Sequence, residues 1–583
     1  MYDKNLLPFI ITPVIFLYIL ISLGWKTYIN PFFNSLILIS IVSLLSFLHL
    51  FILFFLKKNL NKGYKSMIFL SFFILIISLI FSFFQIFCRN EKIEDIKIYL
   101  FISLILYILI CTTYFMRIIV YVKIHNPAFI FITSFVLLSF LGSVLLMLPA
   151  STVKGISFVD ALFTSTSAVC VTGLVVLDTA KDFTFLGKII LLVLVELGGL
   201  GILTITSFFS YFFRDGFSFR EGIYISNFLN KKTTNNVLSL AVKVVMFTLI
   251  VEIIGTLLIY FSINRDKMKL ENPLFFSIFH SVSAFCNSGF STLSQGLYSE
   301  YVRFNYLLQF ILACLLILGG IGFDILFNFF TYIWLTFKKF FYKIFKDEFF
   351  RYPAHIVTLN TKIVVFTTCF LLIIGTIFYY MSEYHCSLSE HPTFVGKWVV
   401  SFFSSATSRT AGFQVLDMKK LAKITILFTI FLMWIGASPA STGGGIKTST
   451  FALALMNIIS LSRGKARLEI QRKEISSESI KLAFSIIMLS IFVIYIGILT
   501  ILCLDPKLDL LSISFEVFSA FSTAGLSLGI TPHLCIGSKF VLIILMLLGR
   551  IGVFNIMLGL LKKNRMNAHD DYYRYPKGYI LIS

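Results

Sequence analysis

Four short polar segments break the apolar pattern of this chain. They read AVCVTGLVV from Ala168, AFCNSGFST from Ala284, ATSRTAGFQV from Ala406 and AFSTAGLSL from Ala520. Each carries one glycine (Gly173, Gly289, Gly412 and Gly525) among small and hydroxyl residues, and none carries an acid. The strong ligands such segments offer are backbone carbonyls. Four like segments around one axis give a ring of carbonyl oxygens, which replaces the hydration shell of a bare monovalent cation. Glycine suits this because it takes left-handed backbone angles without a Cβ clash. An acidic ring would suit divalent ions; carbonyls alone suit potassium or sodium.

A second stretch with chemical content is ASPASTGGGIKTST at 437–450. Pro439 removes a backbone donor. Gly443, Gly444 and Gly445 each disfavour helix by about 1 kcal/mol relative to alanine. Polar groups freed at membrane depth need water or side-chain partners, so the segment is expected to line a cavity. A phosphate-binding loop has similar Gly-rich sequence before Lys and Thr, but it needs glycine immediately before the lysine. Ile446 stands there ahead of Lys447, and no strand precedes the segment. Arg550 lies in LGRIG at 548–552. An arginine at that depth costs about 2.5 kcal/mol or more unless paired or wetted, so it is a functional candidate. It is expected to donate to carbonyls of the Gly-rich loop and to add an electrostatic barrier. Arg409, in the third polar segment, is expected to point away from an ion path and brace its loop. Glu196, Glu252, Asp324 and Glu516 are the other ionisable residues near the apolar units. Each is read as a bundle brace before an ion ligand. Glu516 is placed at the start of a short helix, and Glu196 is offered as a partner for Arg550.

The elements that must position these residues follow from composition. The chain has 583 residues, 58% hydrophobic and 13% charged. Its mean hydropathy is +0.92. Apolar runs of about 20 residues recur, each long enough to cross a bilayer core. This is an all-α polytopic membrane protein. The first candidate spans are 8–25, 31–56, 65–88 and 97–122, the first read as a retained helix and not a cleaved signal. From about residue 125 a unit repeats: long span, short apolar stretch, polar glycine loop, long span. The loop glycines stand 116, 123 and 113 residues apart. The preceding alanine lies five residues before the glycine in three loops and six in the third, which suggests an insertion there. The second long helix of each unit carries LGGLG at 197–201, LGGIG at 318–322, IGASP at 435–439 and LGRIG. The small residues in these stretches let helices approach closely. The short stretches at 158–169, 273–285, 393–406 and 510–521 fit re-entrant helices. Their partly negative C-terminal ends would favour a cation. The expected division is 1–124 as an extension of about four spans, then units at 125–236, 237–360, 361–477 and 478–565, and a tail at 566–583.

The net charge of +21 is not read as a nucleic-acid signal. The basic residues cluster in loops after each second long helix: Arg214 and Arg220, Lys338 and Lys339, Arg463 and Arg467, Lys562 and Lys563. The positive-inside rule makes those ends cytoplasmic, with both termini, and sends the short helices in from outside. Basic loops are orientation signals first, and some also suit anionic lipid. Nine cysteines show no C-x-x-C pair and accompany no histidine cluster. Neither a zinc site nor a disulfide framework is expected. No soluble domain is large enough to bind nucleotide, and no convergent acid, base and metal set suggests an enzyme.

Together, FTSTSAVCVTGL, HSVSAFCNSGF, TSRTAGF, STGGGIKTST and LGRIG resemble the Trk/Ktr/HKT superfamily of potassium transporters, nearest to the KtrB type. The resemblance covers about 125–565 and implies four outer helix–pore helix–filter loop–inner helix repeats around a pseudo-four-fold pore. The four N-terminal spans are outside that pattern. The resemblance implies a potassium filter of Val171, Thr172 and Gly173; Asn287, Ser288 and Gly289; Thr410, Ala411 and Gly412; and Thr523, Ala524 and Gly525. It implies a gate at 437–450, including Ser441, Thr442, Gly443, Gly444, Gly445 and Lys447, with Arg550 acting on it. It also implies a homodimer on a cytosolic ring of nucleotide-binding regulatory subunits of the KtrA/TrkA type. The implied setting is a bacterial inner membrane. No cofactor is expected on this chain beyond the transported K+, with sodium dependence as a feature of the KtrB type. The rival reading is a sodium- or proton-coupled secondary transporter using midplane carboxylates. That design predicts inverted repeats, whereas these units run in one orientation.

Overall fold

The computed structural model describes residues 127–201, 237–263, 272–300, 302–345, 357–465, 467–470, 473–553 and 557. The spans expected within 1–124, the basic segment at 202–236 and the C-terminal tail lie outside the described residues.

Helices fall into four successive sets. The first is α1 (Pro127–Leu146), α2 (Phe158–Val169) and α3 (Phe185–Leu200). The second is α4 (Val237–Ser262), α5 (Pro273–Phe285), α6 (Tyr306–Ile321) and α7 (Phe323–Phe345). The third is α8 (Leu359–Glu383), α9 (Phe394–Thr410), α10 (Lys423–Trp434) and α11 (Thr448–Ser462). The fourth is α12 (Ser477–Leu504), α13 (Leu510–Ser522) and α14 (Ile536–Ile551). A two-residue ladder of β1 (Glu469–Ile470) and β2 (Lys473–Glu474) sits in the basic loop after α11, where no strand was expected.

Val242–Ser262 of α4, together with α8 and α12, are long and apolar enough to cross a membrane. The second helix of each set is different. α2, α5, α9 and α13 have 12, 13, 17 and 13 residues. At 1.5 Å per residue they reach about 18–26 Å, short of a ~30 Å core. Local chemistry starts them cleanly. Ser157 accepts the Asp160 amide at the start of α2, Pro273 opens α5, and Thr393 accepts the Gly396 amide ahead of α9.

Three of the four short helices pack on the long helix before them, each through one hydroxyl. Ser165 donates to Ser139 O, Ser281 to Glu252 O and Ser405 to Leu372 O, at 2.7, 2.8 and 3.1 Å. Gly142, Gly255 and Gly375 face those serines, and a Cβ on any of them would collide with the hydroxyl. The fourth set replaces the serine with Val517, which faces Gly497. Between sets, α3 packs on α5, α6 on α9, α10 on α13, and α14 returns to α2. A 2.7 Å ion pair from Lys539 of α14 to Asp160 of α2 lies across that last seam.

Candidate functional site

The loop after each short helix begins with a backbone turn. In the first, second and fourth loops the helix ends in a residue of left-handed conformation: Val171 (φ 58°), Asn287 (φ 61°) and Thr523 (φ 51°). The next amide then reaches back five residues, Thr172 to Ser167 O, Ser288 to Ser283 O and Ala524 to Ser519 O, at 2.7, 2.8 and 2.8 Å. This is the six-to-one closure of a Schellman motif, built without glycine at the left-handed position. The third loop differs. α9 runs to Thr410, and the Ala411 amide still bonds four residues back, to Thr407 O at 3.0 Å. Arg409 and Thr410 are therefore helical, where the sequence reading put them in the loop.

A hydroxyl on the helix then clamps the carbonyl after the glycine. Ser167 donates to Leu174 O, Ser283 to Phe290 O and Thr407 to Phe413 O, at 2.7, 2.7 and 2.9 Å. In the fourth loop the matching Ser519 hydroxyl is buried with no hydrogen-bond partner among the described residues. Measured from the clamp, the third loop is one residue shorter than the first two. The insertion inferred from Ala406 is thus corrected: the helical end needs no left-handed wrap.

The four glycines have φ of 87°, 69°, 75° and 78°, and each faces the backbone of another loop. A Cβ on Gly173 would meet Ser288 O, one on Gly289 would meet Ala411 O, one on Gly412 would meet Ala524 O, and one on Gly525 would meet Thr172 O. The contacts run first to second, second to third, third to fourth and fourth to first. The carbonyls of Thr172, Ser288, Ala411 and Ala524 thus join four loops in one closed ring. Asn287 adds a side-chain link, its amide lying 3.2 Å from Thr410 Oγ1.

The segment after α10 lies against this ring. Ser438 donates its amide to Gly320 O at 3.0 Å and Thr442 to Gly319 O at 3.4 Å, while Phe323 donates to Ala440 O at 3.1 Å. It thereby caps the break between α6 and α7, which are bent by 105° at Gly322. On its other side the Gly444 amide donates to Thr523 Oγ1 at 2.9 Å. Gly443, Gly444 and Gly445 face Thr410, Thr523 and Ser522, with room for no side chain on the first two. Lys447 folds back to Gly443 O at 2.6 Å, and Ser441 to Ser438 O at 2.6 Å. Arg409 reaches Gly436 O at 3.3 Å and so braces the start of this segment.

Arg550 does not donate to the Gly-rich loop. Its Nη2 donates to Gly198 O at 2.5 Å and Gly199 O at 3.3 Å, both in α3. It reaches across from α14 because α14 and α3 flank the same short helix, α2. Glu196 does not pair with it: its nearby groups are Cys286 and Glu252. Glu516 is mid-helix in α13, not at its start. It accepts from the Ser527 hydroxyl and, at 3.1 Å, from Thr531, and so braces the loop beyond Gly525.

A polar cluster that the sequence did not point to joins the second and third sets. Glu390 pairs with Arg303 at 3.0 Å and Lys420 at 3.5 Å and accepts from Tyr298 at 3.0 Å. His391 beside it is 3.3 Å from the Tyr306 hydroxyl. Burial, and then the positive charge of Arg303, hold His391 below the ordinary histidine range, against a smaller upward pull from Glu390 and with a still smaller downward one from Lys397. The only sequence signal for this cluster was its charges, which lie over 80 residues apart in Arg303 and Glu390.

Comparison with known proteins adds to this geometry. A family model described as TrkH, cation transport protein, matches residues 99–568. The chain is 36% identical over 423 residues to Ktr system potassium uptake protein B of Vibrio alginolyticus, covering 72% of this chain and 88% of that one. It is 33% identical over 463 residues to the potassium/sodium uptake protein NtpJ of Enterococcus hirae, covering 78% and 97%. Its fold is similar to the crystal structure of the potassium transporter TrkH from Vibrio parahaemolyticus, with TM-score 0.59, 17% identity and 90% and 97% of the two chains covered.

Proposed function

The chain belongs to the TrkH family of cation transport proteins, and on that premise we propose that it carries potassium into the cell through the ring of four loops. The family is one of membrane transporters and not of enzymes. The single observation that carries the finer reading is the cyclic closure, in which each glycine α-carbon meets a carbonyl of another loop. Flat backbone contact all round leaves carbonyl dipoles, not side chains, to face an ion, and dipoles without acids suit a monovalent cation.

On this reading Val171, Thr172 and Gly173, with Asn287, Ser288 and Gly289, Thr410, Ala411 and Gly412, and Thr523, Ala524 and Gly525, form a filter on a pseudo-four-fold axis. The segment from Ser441 to Lys447 is the gate, supported by its bonds to α6, α7 and Thr523. Arg550 ties α14 to α3. The protein works in a bacterial inner membrane with both termini inside. It works as a homodimer with a nucleotide-binding cytosolic subunit; the name of the Vibrio alginolyticus relative, a B component of a Ktr system, supports a partner subunit. K+ is cargo, transport through the ring calls for no cofactor, and sodium dependence is part of the proposal.

The test is radioactive rubidium uptake in cells lacking their own potassium uptake systems. The unsubstituted chain is compared with Gly412→Ser and with deletion of Gly443, Gly444 and Gly445. Saturable uptake weakened by the first change and altered by the second is expected. Uptake indifferent to Gly412, in protein shown to reach the membrane, returns the carboxylate-coupled transporter to first place.

A further inference from the structure

Three side chains from distant parts of the chain converge where the first and second sets meet: Glu196 of α3, Glu252 of α4, and Cys286, which ends α5. One oxygen from each glutamate and the Cys286 sulfur lie within 4.8 Å of one another. The sulfur is 3.5 Å from Glu196 Oε2 and 4.0 Å from Glu252 Oε1. On a tetrahedral zinc, with Zn–S about 2.3 Å and Zn–O about 2.0 Å, sulfur and oxygen ligands stand roughly 3.5 Å apart. Small side-chain rotations bring this set to that geometry.

Independent observations point to a ligand. Glu252 is 6% exposed and Cys286 1%. Glu196 Oε1 is closed off from solvent and has no hydrogen-bond partner among the described residues. Two carboxyl groups thus face each other, Glu252 out of water and Glu196 half-buried, and no basic side chain forms an ion pair with either among the described residues. Buried charges are normally paired or bound to metal. Arg550 is near enough for its charge to act on Cys286, but its Nη2 is committed to Gly198 O and Gly199 O. Gly199 leaves the thiol its place: a Cβ there would stand 2.5 Å from the sulfur.

We propose that Glu196, Glu252 and Cys286 bind a thiophilic divalent cation of the zinc type at the seam of the first two units. A thiolate selects against Na+, Mg2+ and Ca2+, which take oxygen ligands. Three protein ligands leave a fourth position for water. Glu196, the one ligand that is not fully buried, gives the cation its way in. Two carboxylates and a thiolate exceed the metal by one negative charge, which the guanidinium of Arg550 offsets. Binding ties α3 and α4 to the residue just before Asn287, and so holds the second loop. Cysteine and histidine spacing predicted no zinc site, because the carboxylates that complete it lie 90 and 34 residues from Cys286 in sequence. The inference does not depend on the transport reading.

The full-length chain in detergent, stripped with chelator, is titrated with Zn2+ and separately with Co2+. About one zinc per chain is expected, with a thiolate-to-cobalt charge-transfer band. Cys286→Ser abolishes the band, and Glu196→Gln and Glu252→Gln each weaken zinc binding by at least about tenfold. Cys170→Ser keeps both signals: this buried thiol follows α2 as Cys286 follows α5, but the charge acting on it is Arg550 and not a carboxylate. A chain that takes up no stoichiometric zinc overturns the proposal. So does a cobalt band that survives Cys286→Ser, or zinc binding indifferent to both glutamine variants. The zinc count and the cobalt band are read on the unsubstituted chain, so a variant that fails to fold leaves the proposal open to refutation.

Discussion

The third unit is built differently from the other three, in its loop and in its inner helix. In the first, second and fourth units a left-handed Val171, Asn287 or Thr523 wraps the end of the short helix, and the inner helix ends at a glycine of positive φ, Gly201, Gly322 or Gly552. In the third, α9 runs straight into Ala411, and the inner helix breaks at Ile435 into a segment with Ala440 at φ 55° and Gly445 at φ 72°. Three units place non-glycine residues where the left-handed angle costs about 1–2 kcal/mol, held by surrounding bonds. The third avoids that cost at its loop and takes irregular backbone in its inner helix instead. The lesson is that a repeated sequence need not repeat its strain. The unit with the least strained loop carries the segment that bonds to its neighbours on both sides.

The largest test of this comparison is at the ring. Alanine at Gly173, Gly289 or Gly525 meets neighbouring backbone and a left-handed φ together. Strain of about 1–2 kcal/mol adds to overpacking of about 1–3 kcal/mol. At ~1.4 kcal/mol per decade, uptake should fall by at least about tenfold. Gly412→Ala should be milder, since the nearest atom to its Cβ position is 2.9 Å away. Equal losses at all four, measured by rubidium uptake, would erase the distinction. Next is Arg550→Gln, which takes the guanidinium donor from two α3 carbonyls. Buried carbonyls left unmatched cost about 1–3 kcal/mol, so the thermal midpoint of purified protein should drop. Arg409→Gln, removing one 3.3 Å bond, should lower it less.

A smaller effect sharpens the role of the third unit. Thr523→Val keeps the side-chain shape and removes the oxygen that accepts the Gly444 amide. If the segment is the proposed gate, the loss of about 1 kcal/mol falls on the arrangement in which it bonds to Thr523, so uptake should rise by roughly fivefold. Unchanged uptake would detach that bond from gating. The smallest effect is at the Arg303–Glu390 cluster between the second and third units. His391 is held below its ordinary range, so the folded chain binds this proton less readily than the unfolded one. Its contribution to stability is present above the unfolded value of about 6.5 and is lost as pH falls toward the depressed folded value. Unfolding midpoints measured across that window should decline, and His391→Asn should flatten the decline.

Much of the local structure was legible. The bounds 158–169 and 273–285 read from sequence coincide with α2 and α5, because Ser157 and Pro273 start those helices and polar loops end them. The end of the third short helix was placed four residues too early, at 406 rather than at Thr410. Arg409 looked like a loop residue, yet its side chain reaches Gly436 O and lets the helix continue. The alanine register suggested an insertion because side-chain identity was matched; hydrogen bonding from Ser167, Ser283 and Thr407 gives the true correspondence.

By itself, the order of residues determined the apolar helices, the short capped segments between them and the four glycines at near-equal spacing. These depend on hydrophobic runs, caps and backbone freedom, which act within a few residues. Tertiary structure alone decided which carbonyl each glycine meets. It also decided that Arg550 serves α3 rather than the Gly-rich segment, and that Glu196, Glu252 and Cys286 share one place. Those outcomes turn on how each inner helix packs against the short helix of the next set. That packing brings together residues as far apart as Gly198 and Arg550, 352 positions along the chain, and no local preference encodes it.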